Sequence, residues 1–98
     1  MLDLNPEYLQ QLRAILSRRL PRREVRAFGS RVTGRAKPHS DLDLVAMGDV
    51  PVDDLSLAEL HADLDDSDLP FRVDVVIWPD APPHLREAIR RASILIQN

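Results

Sequence analysis

The residues of this chain that can carry chemistry are a glycine–serine pair and three aspartates. Ten residues separate Gly29 and Ser30 from Asp41, and Asp43 follows two positions later. A third carboxylate, Asp74, lies in a later apolar run. Glycine lets the backbone approach a ligand closely, and the N–H groups at a helix start bind anions such as phosphates. Carboxylate oxygens suit Mg²⁺ or Mn²⁺. The pattern predicts transfer of a nucleotidyl group from a nucleoside triphosphate.

The spacing of the aspartates predicts that their side chains converge. Residues two apart on a strand share a face, so Asp41 and Asp43 point together. Asp74 reaches the same place if its strand lies beside theirs. Grouped carboxylates stay ionised only when cations share the site, and two metal ions about 3.5–4 Å apart stabilise the attacking and leaving oxygens of an in-line displacement. The alternative for Asp74 is an ion pair with Arg72 or Arg26.

The ten-residue gap between the glycine–serine pair and the first aspartate is basic. It carries Arg31, Arg35, Lys37 and His39. These side chains are candidates to hold the triphosphate, with Arg31 nearest to the turn. The alternative for Arg35 and Lys37 is a solvated basic loop, and for His39 an ordinary loop position.

Composition narrows the classes of protein that the chain can belong to. The chain has 98 residues, 44% of them apolar, which favours one domain over residues 1–98. A net charge of -3 argues against direct nucleic-acid binding. Without cysteine, any metal is held by oxygen or imidazole. No apolar stretch approaches the roughly 20 residues that span a bilayer, and the start of the chain lacks a secretion signal. We therefore expect a soluble, cytoplasmic protein.

Alternating helix and strand patterns must position these residues. Proline and glycine punctuate the chain, leucines recur at helical spacing, and Ser56 with Glu59 fits a capping box. The pattern predicts an α/β or α+β fold, a short mixed β-sheet flanked by helices. The predicted elements are a helix over 6–19, a strand over 24–28, a helical turn over 30–35, a strand over 42–47, a helix over 57–67, a strand over 71–78, a helix opening at 82–83, and a segment over 93–97 that is either a final strand or a continuation of that helix.

The glycine–serine turn with its aspartates resembles a known family. The stretch Gly29-Ser30-Arg31, nine residues, then Asp41-Leu42-Asp43-Leu44, with Asp74 on a later strand, is similar to the minimal nucleotidyltransferases (MNT proteins) of the DNA polymerase β superfamily. The resemblance covers roughly residues 6–97. It implies the polymerase β-like nucleotidyltransferase fold. It also implies roles for matching positions: Gly29, Ser30 and Arg31 at the triphosphate, Asp41 and Asp43 as metal ligands, and Asp74 as a ligand of the catalytic metal that helps to deprotonate the acceptor hydroxyl.

The same resemblance implies a substrate, a cofactor and a partner. MNT proteins are often encoded beside a HEPN-domain toxin, which they neutralise as antitoxins by transferring AMP from ATP onto a tyrosine. Two Mg²⁺ ions, or Mn²⁺, would be the cofactor. One alternative is a non-catalytic antitoxin that acts by stoichiometric binding. Another is a small-molecule transferase of the aminoglycoside-modifying type, which the absence of an acceptor domain disfavours.

A chain this small has little with which to hold an acceptor, so the acceptor is expected to bring its own surface. Trp78 and the last helix are candidates for that contact, with core packing the favoured role for Trp78. The acidic residues between positions 63 and 68 are expected to form the solvated end of a helix.

Overall fold

Four strands form a mixed sheet in the computed structural model, which describes residues 2–98. The strand order is β3-β2-β1-β4. Strand β1 pairs antiparallel with both β2 and β4, whereas β2 and β3 run parallel. The expected mixed sheet flanked by helices is therefore confirmed. The elements are α1 (Pro6–Arg19), β1 (Val25–Phe28), α2 (Ser30–Thr33), β2 (Leu42–Ala46), α3 (Asp54–Asp65), β3 (Val73–Ile77), a 3₁₀ turn (Trp78–Asp80), α4 (Pro83–Arg91) and β4 (Ile94–Gln97).

Helix α1 has the bounds that the sequence predicts. The Asn5 side chain accepts a hydrogen bond from the Glu7 amide at 2.8 Å, and Pro6 opens the first turn. Because proline lacks an N–H group, it fits a position where that group would have no helical partner. The apolar face of α1 buries Leu12 and Leu16 completely against the sheet.

Helix α3 begins at Asp54, three residues before the predicted start at residue 57. The predicted capping box was wrong. Asp53 is the cap, and its carboxylate accepts hydrogen bonds from both the amide (3.0 Å) and the hydroxyl (2.7 Å) of Ser56. Aspartate is at least as good a cap as serine, and here its two oxygens satisfy two donors. Glu59 does not turn back to the helix start but pairs with Arg19 of α1.

Different helices pack on the two faces of the sheet. Helices α1 and α3 pack on one face over the larger core, which includes Leu42 and Leu44. Helix α4 packs on the opposite face through Ile89, against Phe28 and Val45. The alternation of β2 therefore sends its leucines into the larger core and Asp43 toward the face that α4 partly covers.

The segment over 93–97 forms a strand rather than extending α4. Ala27 of β1 pairs with Ile94, and Arg26 pairs with Leu95. A side-chain hydrogen bond also holds β4 in place, since Gln97 Nε2 donates to the Leu20 carbonyl at 2.7 Å. β-branched residues fit this edge position well.

Trp78 is half-buried and packs against the cluster of Phe28, Val45 and Ile89, in agreement with the preferred prediction. The guanidinium groups of Arg86 and Arg90 lie 4.9 and 5.3 Å from its ring centroid. The indole therefore helps to fix α4 to the sheet through cation–π contacts.

Asp63 departs from the solvated role expected for the acidic end of α3. It pairs with Arg18 at 3.0 Å and with Arg19 at 2.6 Å, which ties α3 to α1. Hydrogen bonds from Arg19 and then Arg18 lower the pKa of Asp63 to about 2. The neighbouring Asp65 and Asp66 are exposed, as expected. Within residues 2–98, no helix has the length and apolar character needed to cross a bilayer.

Candidate active site

The turn after β1 lies directly against an aspartate of β2. Phe28, the last residue of β1, is in register with Asp43. The next residue, Gly29, has φ +83° and ψ -155°, a conformation that is essentially confined to glycine. A Cβ at this position would overlap Oδ2 of Asp43. The glycine therefore permits a close approach between the turn and the carboxylate.

The parallel pairing of β2 and β3 brings the second and third aspartates side by side. Asp43 is in direct register with Asp74. Asp41 stands immediately before β2, two residues from Asp43. The three residues Asp41, Asp43 and Asp74, called the site aspartates below, thus lie at one end of the β2–β3 pair, next to Gly29.

The site aspartates influence one another electrostatically. Partial burial raises the pKa of Asp43, and the negative charges of Asp74 and then Asp41 raise it further. The positive charge of Arg72 acts in the opposite direction on the pKa of Asp43. The charges of Asp74 and Asp41 therefore both act on the carboxyl group of Asp43.

Arg72 places a positive charge beside the site aspartates. Its Nε lies 3.1 Å from Oδ1 of Asp74 and 4.0 Å from Oδ2 of Asp41. The hydrogen bond to Asp74 and the charges of the aspartates raise the pKa of Arg72. Arg26, the other predicted partner of Asp74, pairs instead with Glu24 at 2.7 Å. The ion pair that the sequence offered as the alternative for Asp74 is therefore present, with Arg72.

The donor set suits a hard divalent cation, although the arrangement is not a preformed metal cage. Three carboxylates, one with a raised pKa, form an anionic surface that a cation would neutralise. Within residues 2–98, no three carboxylate or imidazole groups are gathered closely enough to hold an ion as they stand. The side chain of Arg72, which is 72% exposed, provides the balancing charge instead.

Ser30 begins the single-turn helix α2 directly beyond the glycine. The Gly29 carbonyl accepts from the amides of Val32 (3.0 Å) and Thr33 (3.1 Å), which closes this turn. The first amides of a helix have no partner within it, so the amides at the start of α2 are available as hydrogen-bond donors. Ser30 itself is partly exposed. The predicted phosphate turn, Gly29 with Ser30, is therefore adjacent to the site aspartates.

Arg31 has surroundings that the sequence did not indicate. Only 6% of its surface is exposed. Its guanidinium donates to the carbonyls of Ser40, Pro38 and Asp3 and lies 4.3 Å from the ring centroid of Phe71. A contact with triphosphate would require these bonds to break. Helix α2 is too short to show a periodic apolar face, so no pattern in the sequence could signal this burial.

The other basic residues of the gap remain at the surface. Arg35, Lys37 and His39 are exposed, as the solvated-loop alternative expects. The Lys37 amide donates to Oγ of Ser40 at 2.8 Å, and the Ser40 amide donates to the Lys37 carbonyl at 3.0 Å. These two bonds close a compact turn just before Asp41.

A small mixed sheet with a glycine–serine turn facing aspartates on two adjacent strands defines a nucleotidyltransferase. Comparison with known families agrees, because residues 9–96 match the nucleotidyltransferase domain. The chain belongs to this family, and it is a nucleotidyltransferase enzyme.

One sequence relative supports the assignment, and one solved structure shares the fold. The chain is 42% identical over 96 residues to a protein of Haemophilus influenzae (strain ATCC 51907 / DSM 11121 / KW20 / Rd) named "Probable protein adenylyltransferase MntA", and the match covers 98% of this chain and 84% of that protein. A solved structure described as "Crystal structure of the toxin-antitoxin with AMP-PNP" has the same fold, with a TM-score of 0.75 and 21% identity. That match covers 92% of this chain and 73% of the solved one.

Proposed function

We propose that this chain is a divalent-metal-dependent protein adenylyltransferase that transfers AMP from ATP to a hydroxyl group of a partner toxin, and so acts as an antitoxin. The observation that carries the proposal is the 42% identity, over almost the whole chain, to a protein named as a probable protein adenylyltransferase. The fold shared with a toxin–antitoxin structure that contains AMP-PNP supports both the type of nucleotide and the type of partner.

The proposed roles follow the placement of the residues. Gly29 and Ser30 bind the triphosphate through backbone amides and the serine hydroxyl. The three site aspartates would hold the metal, either two Mg²⁺ ions or Mn²⁺. When bound, the metal neutralises the charge of the phosphates and orients them for displacement.

The reaction is a single displacement at phosphorus. An acceptor oxygen forms a bond to the α-phosphorus of ATP, and the bond from that phosphorus to the oxygen bridging the β-phosphate breaks. Pyrophosphate leaves with the electron pair of the broken bond. The proton of the acceptor hydroxyl passes to the carboxylate of Asp74, whose side chain is 38% exposed and therefore accessible to an acceptor.

The proposed acceptor is a tyrosine of a HEPN-domain toxin. Its phenol is a nucleophile after loss of one proton, and no other change at the residue is needed. The proposal of this partner rests on the family resemblance of the motif, and the toxin–antitoxin relative is consistent with it.

The experiment is transfer of label from ATP to the proposed toxin partner. ATP labelled at the α-phosphate is expected to label the toxin, and ATP labelled at the γ-phosphate is not. The double variant Asp41→Ala with Asp43→Ala is expected to bind the toxin but to lose both transfer and neutralisation. A matched control, Asp65→Ala with Asp68→Ala, removes two exposed aspartates elsewhere and keeps all three activities.

Each other outcome identifies a different function. Full neutralisation by the Asp41 and Asp43 double variant, without transfer, identifies an antitoxin that acts by capture. Labelling of an aminoglycoside by the chain alone identifies a small-molecule transferase. No labelling of a toxin that the wild-type chain demonstrably binds contradicts the proposed reaction.

A further inference from the structure

Arg31 is the one buried charged residue among residues 2–98, which makes it the most unusual side chain outside the site aspartates. Burying a cation is unfavourable unless hydrogen bonds replace its water. Among the described residues, no carboxylate lies within ion-pair distance of Arg31, so its partners are backbone carbonyls and an aromatic ring. The burial of Arg31 is explained if the residue has a structural role at this position.

Three of these hydrogen bonds go to the segment that precedes Asp41. The Ser40 carbonyl accepts from Nε of Arg31 at 3.0 Å and from Nη2 at 2.9 Å. The Pro38 carbonyl accepts from Nη2 at 3.2 Å. Since the Ser40 carbonyl and the Asp41 amide belong to one planar peptide, fixing the first also restricts the second.

The same side chain reaches two other segments around the site. Nη1 donates to the Asp3 carbonyl at 2.9 Å, and the Asp3 amide in turn donates to the Arg31 carbonyl at 2.7 Å. The guanidinium covers the ring of Phe71, which precedes Arg72 in the chain. One residue therefore connects the helix of the phosphate turn with the segments that lead into Asp41 and into β3.

We propose that Arg31 is a positioning residue that fixes Asp41 relative to the phosphate turn, rather than a ligand of the triphosphate. This inference rests on the proposed function, since it assigns Arg31 a part in assembling the metal site. Arginine is needed because its rigid fork directs donors to three carbonyls at once, whereas a lysine ammonium acts from a single point.

Whether metal affinity rises or falls in variants of Arg31 distinguishes an effect of its charge from a positioning role. A cation near a metal site repels the metal, so removing its charge tightens metal binding. A positioning residue does the opposite, because its loss disperses the ligands, and loss of a residue that orients ligands commonly weakens metal binding by about 10- to 100-fold. Arg31→Lys keeps the charge and loses the fork, and Arg31→Met loses both.

The test measures Mn²⁺ binding by calorimetry, without nucleotide, on the full chain. Both Arg31 variants are expected to bind Mn²⁺ about tenfold more weakly than the wild type. Arg91→Gln, which removes the charge of an exposed arginine of α4, is the control and is expected to bind like the wild type. Wild-type affinity in Arg31→Lys, or tighter binding in Arg31→Met, overturns the inference.

Amide hydrogen exchange provides a readout that does not depend on metal. The amides of Lys37 and Ser40 are hydrogen-bonded within the turn that Arg31 holds, and the Leu42 amide is hydrogen-bonded to the Arg72 carbonyl. In Arg31→Lys, exchange is expected to rise several-fold at Lys37 and Ser40 but not at Leu42. Unchanged exchange at Lys37 and Ser40 contradicts the proposed role.

Ser40→Ala decides the question if the Arg31 variants do not fold. It loosens the same turn from its exposed side, by removing the hydroxyl that accepts from Lys37, and is expected to weaken Mn²⁺ binding in the same direction. Wild-type affinity in this variant overturns the inference. A wild-type chain that does not bind Mn²⁺ contradicts the metal in the proposed function, whereas variants that match a binding wild type contradict only the role of Arg31.

Discussion

Asp43 and Asp74 stand side by side across the parallel pair of β2 and β3. The pKa of Asp43 is raised, first by burial and then by the charges of Asp74 and Asp41. An aspartate with a raised pKa holds its proton more tightly in the folded state than in the unfolded one. Stability therefore falls as the pH rises through the window above 3.8 and stays lower at neutral pH, where the group is ionised.

Asp43→Asn is expected to stabilise the chain at pH 7 while abolishing transfer. The amide removes a repelling charge, and relief of this kind commonly adds about 0.5–2 kcal/mol. We expect the lower end, because Asp43 is only partly buried. Urea unfolding at pH 7 measures the change, and Asp49→Asn, in the exposed turn after β2, is the control. A destabilised Asp43→Asn protein would show that the carboxylate makes a favourable contact in the folded state.

Gly29→Ala and Gly34→Ala form a matched pair. Both glycines have positive φ, +83° and +82°. Gly34 caps α2 in the left-handed conformation, with open space where a Cβ would stand. Alanine there is expected to lower the free energy of unfolding by about 1 kcal/mol. At Gly29 the Cβ meets Oδ2 of Asp43 as well, in a region that other residues avoid.

We therefore expect Gly29→Ala to lose about 3 kcal/mol or more, and to lose transfer even where it remains folded. Thermal unfolding and the labelling assay measure the two effects. Equal destabilisation by both alanines would indicate that the approach between the turn and Asp43 is looser than the structure has it.

The sequence predicted the parts of the fold that have a local cause. Helix α1 has a cap, a proline and a leucine face in one stretch, and its bounds are correct. The predicted grouping of the site aspartates depended on β3 lying beside β2, and the register places Asp43 directly beside Asp74. For α1 the local pattern contained the physical reason for the structure, whereas for the aspartates it gave only the condition.

The missed features have causes that are distant in sequence. The pairing of Glu59 with Arg19, 40 residues away, could not be predicted from the residues around Glu59. Arg31 is buried because a loop, the N-terminal segment and Phe71 close around it, and none of these is signalled by its neighbours. Tertiary contacts of this kind override local preference.

Asp63→Asn tests a contact that supports the fold without touching the site. Two arginines of α1 lower the pKa of Asp63 to about 2, below the ordinary value of 3.8. A lowered pKa contributes stability that is complete above the unfolded-state pKa and is lost as the pH falls toward 2. The variant is therefore expected to be less stable than the wild type at pH 7, with a difference that shrinks below about pH 4.

Urea unfolding at several pH values measures this difference. Asp65→Asn, on an exposed position of the same helix, is the control and is expected to behave like the wild type. A difference that is the same at pH 3 and pH 7 would show that packing, rather than charge, is lost. The labelling assay is expected to be unaffected in both variants.

Arg72→Gln tests whether the arginine competes with the metal for the site aspartates. Its Nε pairs with Asp74 at 3.1 Å and lies 4.0 Å from Asp41, so a metal that uses both carboxylates has to displace it. Exposed ion pairs contribute roughly 0.2–1 kcal/mol. Removing the competitor is therefore expected to tighten Mn²⁺ binding by up to about fivefold at low salt, with a smaller effect at high salt.

Arg91→Gln is the matched control, because Arg91 is similarly exposed and also pairs with a carboxylate, that of Glu87 at 3.5 Å. Calorimetry with Mn²⁺ at two salt concentrations measures the change. Weaker binding in Arg72→Gln would mean that the arginine holds Asp74 in position for the metal. Arg72 would then act as we propose for Arg31, by positioning a metal ligand. It would not compete with the metal for the site aspartates.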